Sequence, residues 1–151
     1  GDHFIWGKVT LFDIGAKVPF IVRAPGLSKP GTKSEAMIEL IDIYPTLTDL
    51  AGLEAPNHLQ GTSLRPLLGH PERLGKKKYA YSVVTRGPKN LGYALRNQNW
   101  RYGKWPDGEE LYNLRSDPQE KNNLAQKEHF KDRLDVFRKA LTRQQELIQQ
   151  N

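Results

Sequence analysis

At 151 residues, with 37% hydrophobic and 26% charged content and a net charge of +6, the chain is long enough to bury a core and equally of a size to be the tail of a larger protein. No apolar run approaches the length of a bilayer crossing and Gly1 opens no charged and hydrophobic leader, so the composition speaks for a soluble protein with much exposed surface. With no cysteine, the chain itself excludes a disulfide, a thiolate nucleophile and a cysteine metal site, and leaves the redox compartment unread.

The chain begins with Gly1-Asp2-His3-Phe4-Ile5-Trp6-Gly7-Lys8, ahead of the continuously apolar Val18-Pro19-Phe20-Ile21-Val22 and a break at Pro25-Gly26. Such a short unbroken run reads as a strand covered on both faces of an α/β sheet. His3 and Lys8 then sit on the loop feeding a core strand. Open α/β sheets gather ligands at such rims, so the fixed charge of Lys8 is a candidate anion contact. Composition alone favours a solvated loop lysine instead. The stretch from Leu27 to Thr32 is a turn-rich surface loop. Next comes a short helix between Asp42 and Gly52: Asp42 to cap it, Pro45 in its first turn and Gly52 to stop it, with Ile43, Leu47 and Leu50 expected to face inward. Capping accounts for Asp42 without a metal or acid–base role.

The residues from Leu53 to Gly75 form a connector with Pro56, Pro66 and Pro71, and a subdomain boundary is expected near Leu74, dividing 1–74 from 75–151. His58 and His70 have no second His or carboxylate at ligand spacing and read as exposed loop residues. Between Arg73 and Lys104 there is no Asp or Glu, while Arg73, Lys76, Lys77, Lys78, Arg86, Lys89, Arg96, Arg101 and Lys104 are basic. That block either gathers anionic partners or is a solvated face. Trp100, Tyr102 and Trp105 are of a kind that stacks on nucleic-acid bases, but no nucleic-acid motif accompanies them. Their alternation is that of packed residues on a strand.

Short β-rich segments follow: Tyr79 to Thr85, Leu91 to Arg96, Trp100 to Trp105 and Glu110 to Leu114, with Asn97-Gln98-Asn99 as a hairpin turn and Ser116-Asp117-Pro118 as the final stop. A long helix is expected from about Glu128 to Leu147, its apolar stripe made of Phe130, Leu134, Phe137 and Leu141. The stripe is expected to cover one face of the sheet, with a partner-binding or coiled-coil seam as the weaker alternative. The Gln-rich end is expected to fray.

Gly1-Asp2-His3, Trp6-Gly7-Lys8, Leu11-Phe12-Asp13 and Ala24-Pro25-Gly26 lead an ordered set of motifs. It continues through Asp42-Ile43-Tyr44-Pro45-Thr46-Leu47, the run from Gly61 to Leu68, Gly92-Tyr93-Ala94-Leu95-Arg96, Trp100-Arg101-Tyr102 and Glu110-Leu111-Tyr112-Asn113-Leu114. The set resembles the sulfatase family, and most closely its iduronate-2-sulfatase-like branch. The resemblance implies the C-terminal portion of an alkaline-phosphatase-like α/β enzyme. That portion is α+β by itself: the last strand and helix of the large domain, then a four-stranded antiparallel sheet with a C-terminal helix. The whole enzyme would hydrolyse sulfate esters, in this branch those of sulfated uronic acid residues in glycosaminoglycans. It would use a bound calcium ion and a formylglycine made in a Cys/Ser-x-Pro/Ala-x-Arg motif. The calcium ligands of the family precede Gly1 and the motif is absent here, so this segment alone is expected to be inert. The implied partners are a sulfated carbohydrate and the N-terminal part of the same sulfatase, with no membrane. Family habit is export to the periplasm, the lysosome or the medium.

The resemblance assigns Lys8 to the substrate sulfate, where a compact ammonium stabilises charge that builds on the sulfuryl oxygens. His3 is placed beside it, shaping the loop or bonding the ester. Arg86 falls in a loop that in this branch overhangs the cleft, where it can grip a sugar carboxylate, although an exposed arginine explains it equally well. Two rivals remain: a non-catalytic polyanion-binding module, and a phosphodiesterase or phosphonate hydrolase of the same superfamily.

Overall fold

A computed structural model describes residues 9–88 and 90–149. Lys8 and His3 therefore lie outside the described residues. Chain packing yields two compact units, one of the described residues up to Pro19 together with those from Tyr81 onward, the other Phe20–Ala80.

The first unit is built on a four-stranded antiparallel meander in the order β1-β2-β3-β4, with β1 Ala80–Thr85, β2 Leu91–Arg96, β3 Trp100–Trp105 and β4 Gly108–Asn113. Asn97 makes the β2–β3 turn: its Oδ1 accepts the amides of Asn99 and Trp100 at 3.0 and 2.9 Å, the local bonding that suits this residue to turns. Register pairs Leu95 with Tyr102 and Tyr102 with Leu111, so these three share a face. Upon it lies α4, Lys131–Gln149, preceded by a 3-10 turn over Glu128–Phe130. Leu134, Phe137 and Leu141 are buried there, and Phe137 meets Tyr102 with ring centroids 5.9 Å apart. The expected stripe and its role are borne out, and sealing Phe137 from water is worth about 2–3 kcal/mol. The architecture is α+β, with the antiparallel sheet and C-terminal helix where the sequence puts them.

The second unit holds α2, Ile43–Leu50, behind a 3-10 turn over Leu40–Asp42, and the short α3, Arg65–Gly69. Gly52, at φ 70, stops α2 as expected: its amide bonds Asp49 O at 3.2 Å while Leu53 N bonds Thr48 O at 2.9 Å. The inward face differs from expectation, since Leu47 is 60% exposed. Asp42, Thr46 and Asp49, four and three residues apart, face the connector instead. Asp42 Oδ1 accepts Thr62 N–H at 2.7 Å, Thr46 Oγ1 accepts Leu64 N–H at 2.9 Å, and Ser63 Oγ donates to Asp49 at 2.5 Å. This polar seam fixes the helix's roll. The connector runs so close that a Cβ on Gly61 would lie 2.0 Å from Ile41 O. Asp42 caps differently from expectation: its side chain makes no cap bond to α2 itself but, fully buried, accepts Glu39 N–H at 2.9 Å in the capping box of the 3-10 turn that leads into the helix, and it holds Lys77 Nζ at 2.7 Å.

The segment from Val18 to Val22 also departs from the sequence reading. It forms no strand, and Ile21 is 91% exposed. A strand exists through ladder bonds to a neighbour, and among the described residues none pairs with this run.

Candidate functional site

The face of the sheet opposite α4 carries Arg96, Arg101 and Trp105 by alternation and register. The residues that directly follow Lys8 are fastened to this face. Thr10 and Leu11 are buried, and Asp13–Ala16 makes one helical turn, α1. The Asp13 amide donates to Glu120 Oε2 at 2.7 Å, across 107 residues of sequence. Its carboxylate takes Arg96 Nη2 at 3.1 Å and Nε at 3.2 Å.

Arg101 stands at the centre, 1% exposed. Its Nε donates to Glu120 Oε1, and Nη1 and Nη2 both donate to Glu110 Oε2, at 3.0 and 3.1 Å. The guanidinium carbon lies 4.6 Å from the ring centre of Phe12 and 4.8 Å from that of Tyr112. A buried cation is tolerable because two carboxylates neutralise it and two aromatic faces line it. Burial, and secondly the Glu110 charge, pushes the Tyr112 phenol up to about 12. The Arg101–Glu120 pair at its centre is closed to a ligand and serves as a strut.

Arg86 opens the β1–β2 hairpin, where its amide bonds Asn90 O at 2.8 Å and Thr85 Oγ1 donates to Gly87 O at 2.7 Å. Its guanidinium carbon lies 4.7 Å from the ring centre of Trp105. On Gly92 a Cβ would sit 2.5 Å from that ring, so glycine is what lets the indole lie against β2. The stack gives an exposed arginine a fixed bearing. Trp105 and Arg101, four residues apart on one strand, are separated by about 13 Å along the same face.

The acid-free block is not one basic surface. Arg101 is internal, Lys77 is bound by Asp42 and Glu39, Arg96 by Asp13, and Lys104 lies 3.7 Å from Glu109. Of the two readings of the block, one continuous anion-gathering surface is corrected for these four bases: acids from before the block, Asp13, Glu39 and Asp42, and from after it, Glu109, Glu110 and Glu120, are brought onto them. Two of the aromatics pack on the α4 face, Trp100 with Phe130 at 5.7 Å and Tyr102 with Phe137, whereas Trp105, three residues beyond Tyr102, falls on the opposite face beneath Arg86, so the three do not share one alternation. His58 and His70 are exposed as expected, His70 Nδ1 lying 3.1 Å from Glu72. Among the described residues no group of three or more His, Cys, Asp or Glu could hold a metal ion.

The Arg101–Glu120–Asp13 strut escapes sequence reading, because its members lie far apart and Glu120 reaches it through a left-handed backbone, φ 53, that a non-glycine residue seldom adopts. The one signal was an arginine on a strand at a position alternating with Gly103 and Trp105.

A family model described as N-sulphoglucosamine sulphohydrolase, C-terminal, matches residues 1–147. The ulvan-active sulfatase of Formosa agariphila is 32% identical over 86% of this chain and 33% of that protein. A solved structure of a protein in complex with its substrate D-glucosamine-2-N,6-O-disulfate superposes with a TM-score of 0.80 at 28% identity, covering 87% of this chain and 28% of its own. A phosphonate monoester hydrolase from Silicibacter pomeroyi superposes with a TM-score of 0.81 at 28% identity, covering 92% of this chain and 31% of its own. The chain spans about a third or less of the length of these proteins.

Proposed function

We propose that this chain, which belongs to the sulfatase family and to its N-sulphoglucosamine sulphohydrolase C-terminal group, is the C-terminal part of an enzyme that hydrolyses sulfate esters of carbohydrates. Residues 1–74 then complete the large catalytic domain and 75–151 form the C-terminal subdomain. In this reading Lys8 meets the sulfuryl oxygens, where a fixed ammonium favours the more highly charged transition state over the ground state. His3 shapes the loop that carries it. Arg86 grips a second anionic group on the sugar, a carboxylate or another sulfate, with two parallel hydrogen bonds. A sulfated uronic acid of a glycosaminoglycan supplies both groups at once.

The observation that carries the reading is the fastening of Phe12 and Asp13, four and five residues behind Lys8, onto the same sheet face that bears the Arg86–Trp105 stack. The substrate named for one structural neighbour, a doubly sulfated glucosamine, has the two separate anionic groups that such a pair of cations suits. No Cys/Ser-x-Pro/Ala-x-Arg motif occurs in the chain, so a formylglycine does not find its residues here, and among the described residues no cluster of carboxylates or histidines could hold a metal ion. In the proposed enzyme both belong to polypeptide outside this chain. What this chain contributes is binding and positive charge.

The likeness to a phosphonate monoester hydrolase favours a second reading, in which the same residues serve a phosphonate ester. One experiment separates them. The full-length protein is assayed on a sulfated glycosaminoglycan disaccharide and on an aryl phosphonate monoester, as wild type and as Arg86→Ala. The sulfatase reading expects turnover of the disaccharide, with KM raised about tenfold and kcat retained in Arg86→Ala, a loss of binding shared by ground and transition states. Preference for the phosphonate supports the second reading. Salt-sensitive binding of the disaccharide without turnover of either ester would support a polyanion-binding module and defeat both.

A further inference from the structure

We propose that Glu120, Arg101, Asp13 and Arg96 are positioning residues that clamp the turn after Lys8 to the C-terminal sheet and so govern where Lys8 delivers its charge; the catalytic half of this statement rests on the sulfatase reading. The turn is held at three points. The Asp13 amide bonds Glu120, the Asp13 carboxylate takes Arg96, and the Phe12 ring lies against the Arg101 guanidinium. Each point belongs to the same run of five residues after Lys8, and each partner lies at least 83 residues away in sequence.

The cost of the arrangement argues that it has a task beyond adding stability. A buried arginine with two carboxylates is often replaceable by apolar side chains of similar volume without loss of stability, whereas a directed network can fix one register, as buried polar groups do in some proteins. Glu120 adds a second cost. It is 3% exposed and adopts a left-handed φ of 53, a conformation that disfavours side chains and that here aims one oxygen at Arg101 and the other at the Asp13 amide. Gly103 supports the same geometry, since a Cβ there would lie 2.9 Å from Arg101 Nη1 and 3.0 Å from Glu110 Oε2. Phe12 follows Lys8 by four residues, a span of at most about 14 Å. Slippage of the clamp by an ångström is thus carried to the lysine, and misplacement on that scale costs about a hundredfold in rate where preorganised charge does the work.

The test uses the full-length protein and two readouts. Hydrogen exchange followed by mass spectrometry reports on the peptide over residues 9–19, with peptides from β3 and β4 as internal controls. Steady-state turnover on the sulfated disaccharide reports kcat and KM. Asp13→Ala and Arg96→Gln, both at partly exposed positions, remove one fastening without stranding the buried cation. Glu120→Ala removes the acceptor of the Asp13 amide. In Asp13→Ala and Arg96→Gln the expected result is exchange at least tenfold faster in 9–19 with β3 and β4 unchanged, kcat lowered at least tenfold with KM within threefold, and partial recovery of both in Arg96→Lys; Glu120→Ala, which also strands Arg101, should loosen 9–19 and β3 together. A loss of kcat that merely follows the folded fraction, or exchange in 9–19 unchanged in Asp13→Ala and Arg96→Gln, overturns the clamp. If the wild type hydrolyses no ester, the sulfatase reading falls, while the exchange readout still decides whether these residues hold the turn.

Discussion

Glu109 joins the sheet to α4 by charge, and lowering the pH should undo that joint in a calculable way. Its carboxylate accepts the Tyr102 hydroxyl at 2.6 Å and Arg138 Nε at 3.0 and 3.1 Å, and its side chain is 16% exposed. The Arg138 hydrogen bonds, opposed by burial and aided by Tyr102, hold the group at about 2 instead of its ordinary 4.5. A folded-state value below the unfolded one means that the charged form is stabilised by folding. The contribution is complete above about 4.5 and is lost as pH falls toward about 2. Taken at face value the difference is about 3 kcal/mol. Arg138 is 45% exposed, so solvent screening brings it to about 1–2 kcal/mol. Urea unfolding of wild type and Glu109→Gln at a series of pH values measures it, because glutamine keeps the shape and an acceptor for Tyr102 while removing the charge. At pH 6 the variant should be less stable by about 1–2 kcal/mol, and the gap should close between about pH 4.5 and 2. A gap that is absent at pH 6, or one that persists undiminished at pH 2, would refute the assignment of this stability to the Glu109 charge.

Two further outcomes follow from the packing. Asp42→Ala strands the amides of Glu39 and Thr62 in a buried seam and leaves Lys77 with Glu39 alone, so it should cost about 3 kcal/mol in chemical denaturation, whereas Leu47→Ala, on the exposed side of the same helix, should cost under about 1. Gly92→Ala drives a methyl group into the Trp105 ring and so displaces Arg86. On the proposed function it raises KM as Arg86→Ala does, and the double variant should be little worse than either, since both act through one stack.

What was legible in the sequence is what depends on neighbours along the chain. The limits of β2 and β3 follow from alternation and from the Asn97 turn, and the stripe from Phe130 to Leu141 announces the covered face of α4. The roll of α2 was hidden because polar residues set it. Periodicity counts Leu47 as core, but the hydrogen bonds that Asp42, Thr46 and Asp49 accept from a connector 14 to 20 residues on outweigh the apolar preference. Val18 to Val22 has the composition of a buried strand, yet composition cannot supply the neighbour a strand pairs with. Arg101 looked like surface charge because its carboxylates, Glu110 and Glu120, lie outside the acid-free block and come to it only through the β3–β4 register and one left-handed residue. The position of Arg86 in a loop was legible; that Gly92 and Trp105 would stack beneath it was not, since a glycine opposite an indole is visible only once register is known.

The central claim is that the ammonium of Lys8 meets the oxygens of a sulfate ester. Turnover of a sulfated disaccharide by the full-length protein, wild type against Lys8→Ala, tests it most directly. The account predicts that kcat/KM falls by at least about a thousandfold while the thermal midpoint stays within a few degrees, as removal of a transition-state contact requires. A Lys8→Ala protein that is folded and turns over the ester within about threefold of wild type would contradict it.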